Sequence, residues 1–175
     1  MRYEGGFIKL VTGTFVGPDG FTFERDIVRH PGAVAVVPLE EDGRHVLLVR
    51  QYRAAVGDAL LELPAGKRDV EGEPADECAR RELIEEIGQD ATSLTELGWF
   101  YNSPGFTDER TVCFLAEGLT PAEPAAPGVE EVHMTVERVC LDDLEELVAA
   151  GDLVDAKSLI GLLLARARIA TVLGT

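Results

Sequence analysis

The stretch GKRDVEGEPADECARRELIEEIGQ, residues 66–89, decides how the rest of the chain is read. Pro74 suits the first turn of a helix, where its missing N–H costs nothing, and Gly88 suits the position just past a helix end, so residues 74–87 form a bounded helix. Ala75, Ala79, Leu83 and Ile87 recur every fourth residue and make its buried stripe. Glu82, Glu85 and Glu86 stand three and four residues apart, which brings their carboxylates together on the surface opposite that stripe.

Two readings fit this acidic helix. Arg81 reaches Glu85, and Arg80 and Glu77 add further charge, so the cluster is compatible with a solvated ion-pair face of the kind common on exposed helices. Carboxylate oxygens supplemented by a backbone carbonyl and waters equally suit Mg²⁺ or Mn²⁺. Such ions neutralise an acidic face, bridge to substrate phosphates and lower the pKa of an attacking water. Spacing alone leaves both readings open.

Upstream of the helix, residues 7–16 and 21–28 are β-type runs around Gly17-Pro18-Asp19-Gly20, which predicts an N-terminal hairpin. Residues 33–39 and 45–52 are two further strands about the polar turn Glu40-Glu41-Asp42-Gly43, the first apolar enough to lie centrally in a sheet. A short strand over 60–63 ends at Pro64-Ala65-Gly66, where a loop is expected. Downstream, strands are predicted over 94–101, 111–116 and 132–141, with loops at 103–110 and 121–130, then helices over 142–150 and 155–172, the last capped by Asp155. Strands dominate the first half and helices enter later, hence α+β.

The length of 175 residues fits one domain with a real core. With 46% hydrophobic and 27% charged residues, the chain is of ordinary globular composition. A formal net charge of −16 argues against nucleic acid and anionic membranes as partners. If the substrate is a phosphate compound, something cationic must intervene at the site. The three cysteines, Cys78, Cys113 and Cys140, are widely spaced and suggest neither a disulfide framework nor a thiolate zinc site. The N-terminus lacks a signal-peptide pattern, and the apolar stretch 153–173 is broken by Asp155, Lys157, Arg166 and Arg168, so a cytoplasmic location is expected.

The stretch 66–89 closely resembles the Nudix box, a Gly, a Glu, then Arg-Glu-apolar-x-Glu-Glu-x-Gly. Gly66, Glu73, Arg81, Glu82, Leu83, Glu85, Glu86 and Gly88 match it, including the spacing between Glu73 and Arg81. Six residues rather than five separate Gly66 from Glu73, and Gln89 stands where the family usually has an apolar residue. Neither departure removes a presumed ligand. The resemblance implies an α/β/α sandwich about a mixed central sheet, with an N-terminal β-hairpin region over 1–30 and the Nudix hydrolase domain over 31–175. It implies Glu82 and Glu86 as principal metal ligands, Glu85 as a further ligand or water contact, the Ala65 carbonyl as a backbone ligand, and Arg81 as the group that orients Glu85. More than one Mg²⁺ or Mn²⁺ per site is expected.

The chemistry so implied is attack of water on the diphosphate of an X-linked nucleoside diphosphate. Ser103-Pro104-Gly105-Phe106-Thr107-Asp108-Glu109 resembles the loop that marks the ADP-ribose pyrophosphatase subfamily, and residues 30–34, 50–53 and 61–66 look like that subfamily too. ADP-ribose, cleaved to AMP and ribose 5-phosphate, is therefore the leading substrate. Candidate substrate contacts are Arg53, Glu62, Pro104, Gly105, Phe106 and Glu109. All but Glu109 have a plainer alternative: Pro104-Gly105 as a simple turn, Phe106 as core, Arg53 as partner of an acidic neighbour, Glu62 as a buried structural carboxylate. For the general base the resemblance points to the late acidic stretch 128–134, with Glu131 first and Glu130 second. It also implies a homodimer in which each N-terminal hairpin contributes to the partner's site, which makes Arg25 and Asp26 candidates for contacts in trans.

Three rivals remain from sequence. One is a Nudix hydrolase of another specificity, acting on UDP- or GDP-sugars. A second is a catalytically silent Nudix domain that senses a ligand, and a third treats the acidic helix as an exposed face only.

Overall fold

The computed structural model describes residues 1–123 and 134–174. Strand β4 (Ala33–Pro38) is buried along its whole length, as its unbroken apolar sequence demands of a strand covered on both faces. It is flanked by β7 (Ala65–Lys67) and β9 (Arg110–Pro121), and β8 (Gln89–Tyr101) completes a four-stranded sheet in the order β7-β4-β9-β8. The β4–β9 pair is parallel and the β4–β7 and β8–β9 pairs are antiparallel, so the sheet is mixed. A second sheet runs β10-β5-β6, from β5 (His45–Arg53), β6 (Asp58–Glu62) and β10 (Thr135–Cys140). The N-terminal strands β1 (Tyr3–Glu4), β2 (Lys9–Val16) and β3 (Thr22–Arg29) form a third.

The period of two along β4 splits the core. Val34 and Val36 belong to the cluster with Cys78, Ala79 and Leu83 of helix α1 (Ala75–Ile87), whereas Ala35 and Val37 belong to the cluster with Leu162 and Ala165 of α3 (Ala156–Leu173). Helix α1 therefore covers one face of the mixed sheet and α3 the other, which is the α/β/α layering expected. The short helix α2 (Leu144–Ala150) adds Leu144 to the α3 side. Each fully buried Val or Leu here contributes on the order of 1.5–3 kcal/mol.

Several boundaries differ from the sequence expectation for physical reasons. Residues 65–67 are a strand rather than the start of a loop, because the free edge of β4 offers their backbone groups partners. Strand β8 starts at Gln89 rather than 94, since its polar first residues pair with the end of β9. Helix α1 starts at Ala75, and Pro74 is its extended N-cap with ψ 151°. The predicted helix over 142–150 opens instead with a 3-10 turn at Leu141–Asp143. A short first strand, β1, went unpredicted. Residues 132 and 133 of the predicted late strand lie outside the described residues.

Candidate active site

Ala33 at the start of β4 is opposite Lys67 on one side and Thr111 on the other, so β7, the turn before β9 and the first residues of β4 share one end of the sheet. At that end a cleft of about 460 Å³ opens, lined on its α1 side by Arg81, Glu82, Glu85 and Glu86. Helix α1 stops at Gly88, which with φ 63° takes the left-handed conformation that favours glycine. The Gly88 N–H closes the last turn on the Ile84 carbonyl.

The three carboxylates are brought together, although not as a solvent-exposed patch. Glu82 is only 9% exposed, because its carboxylate lies against the backbone of Gly66, where an added Cβ would stand 1.8 Å from Cδ. Burial pushes the Glu82 carboxyl above its ordinary value, and the neighbouring Glu85 adds to this, while Arg81 opposes it without cancelling it. Glu86 accepts a hydrogen bond of 2.9 Å from the Ala65 N–H, which ties α1 to the 65–67 strand.

Arg81 donates to Glu82 at 2.7 Å and to Glu85 at 3.1 Å, and its other nitrogens reach Glu73 at 3.1 and 3.3 Å. One guanidinium thus serves three carboxylates. The pairing raises the pKa of Arg81 and holds Glu73 below the usual carboxylate range.

Across the cleft stand residues of β5 and α3. Gln51 and Arg53 line it from the same face of β5, two residues apart in the alternating pleat. Arg53 donates to both oxygens of Glu62 at 2.7 Å in a bidentate pair, and Glu62 is 1% exposed. That pairing raises the pKa of Arg53, with smaller contributions from Glu86 and Asp155. Lys157 also lines the cleft and bonds Asp155 at 2.7 Å and Glu62 at 3.5 Å.

The other candidates divide. Glu109 lines the cleft, but Pro104, Gly105 and Phe106 line a second cavity of about 420 Å³ together with Arg25 and Phe15. The loop is drawn there by β3: the Val28 N–H donates to the Phe106 carbonyl at 2.8 Å, and Arg29 and the His30 N–H both bond Asp108. Phe106 is 56% exposed and is not core. Arg25 stacks on Phe23 at 4.7 Å, and Asp26 accepts from the Thr12 hydroxyl at 2.6 Å. Glu130 and Glu131 lie outside the described residues. Gln51, Lys67, Asp69 and Lys157 line the cleft without having been singled out in sequence. For Gln51 the available signal was its strand spacing to Arg53.

A separate group of close ligand atoms, Glu40, Asp42 and His45, occupies the β4–β5 turn. Arg138 donates to Glu40 at 2.6 Å and to Asp42 at 2.8 Å, and the backbone N–H groups of Arg44 and His45 hold the Asp42 carboxyl well below its ordinary range. Its oxygens are engaged in an ion-pair knot that fixes the turn.

The sequence profile of the NUDIX domain family matches residues 29–159. An ADP-ribose pyrophosphatase of Bacillus subtilis is 38% identical over 89% of this chain and 83% of its own length. A methanol dehydrogenase activator of Bacillus methanolicus is 35% identical over 90% of this chain and 84% of its own. Among solved structures, an ADP compounds hydrolase superposes with a TM-score of 0.82 over 97% of this chain and 90% of that one, at 24% identity, a likeness of fold. The chain belongs to the NUDIX domain family. Within it, this is a Nudix pyrophosphohydrolase of the ADP-ribose pyrophosphatase-like kind.

Proposed function

We propose that this enzyme hydrolyses the diphosphate bond of ADP-ribose to AMP and ribose 5-phosphate, using Mg²⁺ or Mn²⁺. The observation that carries the reading is the convergence of Glu82, Glu85 and Glu86 with the 65–67 strand in one cleft. The donor set fits a hard cation: it is all oxygen, its most buried member has its charge disfavoured by burial, and Gly66 leaves space for that carboxylate where any side chain would fill it. Glu82, Glu85, Glu86 and the Ala65 carbonyl would hold the ions, more than one per site. When bound, such ions neutralise the diphosphate and lower the pKa of an attacking water.

The chain's own residues supply the rest. Arg81 keeps the Glu82 and Glu85 carboxylates in place, and Arg53 faces the substrate phosphates while Glu62 fixes its orientation. Glu131, or Glu130 beside it, accepts the proton of the water as its oxygen bonds to phosphorus and the bridging P–O bond breaks. Support for ADP-ribose comes from the likeness of residues 103–109 to the subfamily loop and from the 38% identical relative of that name. Residues 1–30 act in a homodimer, where Arg25, Asp26 and the cavity that Arg25 shares with the 104–106 turn meet the partner subunit. The enzyme works in the cytoplasm on a small-molecule substrate. No helix among the described residues is long and apolar enough to cross a membrane.

The test is AMP release from ADP-ribose, run beside UDP-glucose, GDP-mannose, NADH and diadenosine polyphosphates, with Mg²⁺, Mn²⁺ or chelator. Metal-dependent preference for ADP-ribose supports the reading. Preference for another diphosphate replaces the substrate, and no turnover on any compound puts a ligand-sensing domain in its place.

A further inference from the structure

Lys157 sits in the first turn of α3, on the opposite face of the mixed sheet from the acidic helix, and reaches the same cleft. A cation is electrostatically misplaced in the first turn of a helix, where the macrodipole favours negative charge. The N-cap Asp155 supplies the negative charge at that terminus and pairs with Lys157 at 2.7 Å.

Neutralising Glu62 does not account for the place of Lys157 in the cleft wall. Both oxygens of Glu62 already accept from Arg53 at 2.7 Å, while Lys157 lies at a looser 3.5 Å. The firm contact of Lys157 is with Asp155 at 2.7 Å, and Asp155 is itself held by the N–H and hydroxyl of Ser158. Ser158 in turn accepts from the Leu63 N–H at 2.7 Å, which anchors the turn of α3 to the segment leading into residues 65–67. The lysine side chain is 19% exposed; it lines the cleft together with Arg53, and both reach the same oxygen of Glu62. An ammonium has three donors, and these two carboxylates engage it from the protein side.

We propose that Lys157 is a phosphate-binding residue of this cleft, donating to a non-bridging oxygen of the bound nucleoside diphosphate and forming with Arg53 a cationic wall across from the α1 carboxylates. Asp155 and Glu62 are positioning residues that hold the two cations. The inference rests on the reading that the substrate is a nucleoside diphosphate, and it is tested apart from turnover.

ADP-ribose is titrated calorimetrically into the protein in chelator, where binding is read without hydrolysis, for wild type, Lys157→Met and Lys157→Arg. Loss of a charge-assisted contact weakens binding about 10- to 100-fold in Lys157→Met, and Lys157→Arg recovers part of it. With Mg²⁺ restored, the loss falls mainly on KM, as expected of a contact made equally in ground and transition states. Equal affinity in wild type and Lys157→Met, or a lowered melting temperature with unchanged KM, overturns the proposal and leaves the lysine a structural counter-charge. Wild type that binds ADP-ribose through Lys157 without hydrolysing it overturns the reaction assigned above and keeps this contact.

Discussion

The carboxylate of Glu82 occupies the space where a side chain at residue 66 would begin: a Cβ on Gly66 would meet its Cδ at 1.8 Å and its oxygens at 2.0 and 2.4 Å. Gly66→Ala therefore forces Glu82 or the 65–67 strand to move. Overpacking of this kind costs about 1–3 kcal/mol, and each kcal/mol lowers the melting temperature by about 2–4 °C in a chain of this size. Turnover of ADP-ribose should fall with it, since the displaced carboxylate is one of the three that converge. A melting temperature and rate equal to wild type would show that the close approach does not fix Glu82.

Glu86→Gln removes a charge with little change of shape, and the amide oxygen can still accept from the Ala65 N–H. Loss of turnover should exceed the roughly 10- to 100-fold typical of losing a group that only supports a ligand. The circular dichroism spectrum and cooperative melt should stay those of the wild type. Retained turnover in the folded variant would remove Glu86 from the metal site.

Arg53→Met leaves Glu62, 1% exposed, with only the looser Lys157 contact. Breaking a buried pair in this way destabilises by about 3 kcal/mol, measured by urea unfolding. The double variant Arg53→Met/Glu62→Leu removes the orphaned charge and should recover most of that stability without recovering KM for ADP-ribose. Equal stability of the single and double variants would contradict the coupling between the two residues.

Asp155 supplies a pH dependence whose sign is fixed. Burial disfavours its ionised form, but Lys157 and the hydrogen bonds from Ser158 outweigh this and hold its carboxyl below the ordinary value of 3.8. A carboxyl depressed in the folded state contributes stability that is present in full above the unfolded-state value and is lost as pH falls through the lower folded-state value. Asp155→Asn keeps an acceptor for the Ser158 N–H and removes the charge. The stability difference between wild type and this variant should thus be largest near neutral pH and shrink below about pH 4. A constant difference across that range would mean that the charge contributes nothing.

Removing the general base gives a graded expectation. Glu131→Gln should lower turnover about 10²–10⁴-fold without altering the melt, and an unchanged rate would move the role to Glu130 or elsewhere.

Much of this was legible in sequence because it is local. The helix over residues 75–87, its apolar stripe and the three-and-four spacing of Glu82, Glu85 and Glu86 follow from a 3.6-residue period and from the proline and glycine that bound it. The six apolar residues of β4 fixed a central strand for a similar reason. The resemblance of 66–89 to the Nudix box rested on the same short window.

Contacts between distant segments escaped that reading. Periodicity set Glu82 opposite the stripe, yet only the pairing of β7 with β4 brings Gly66 against it and buries it. Pro104, Gly105 and Phe106 look continuous with Glu109 in sequence, but backbone pairing with Val28 turns them to a second cavity and leaves Glu109 in the cleft. Lys157 lies 95 residues from Glu62 and shows in sequence only as a charge that interrupts an apolar run. Local spacing determined which groups could act together on one helix. Which groups face them was decided by sheet pairing and by the two helices packed on opposite faces, since non-local contacts leave no period in the chain.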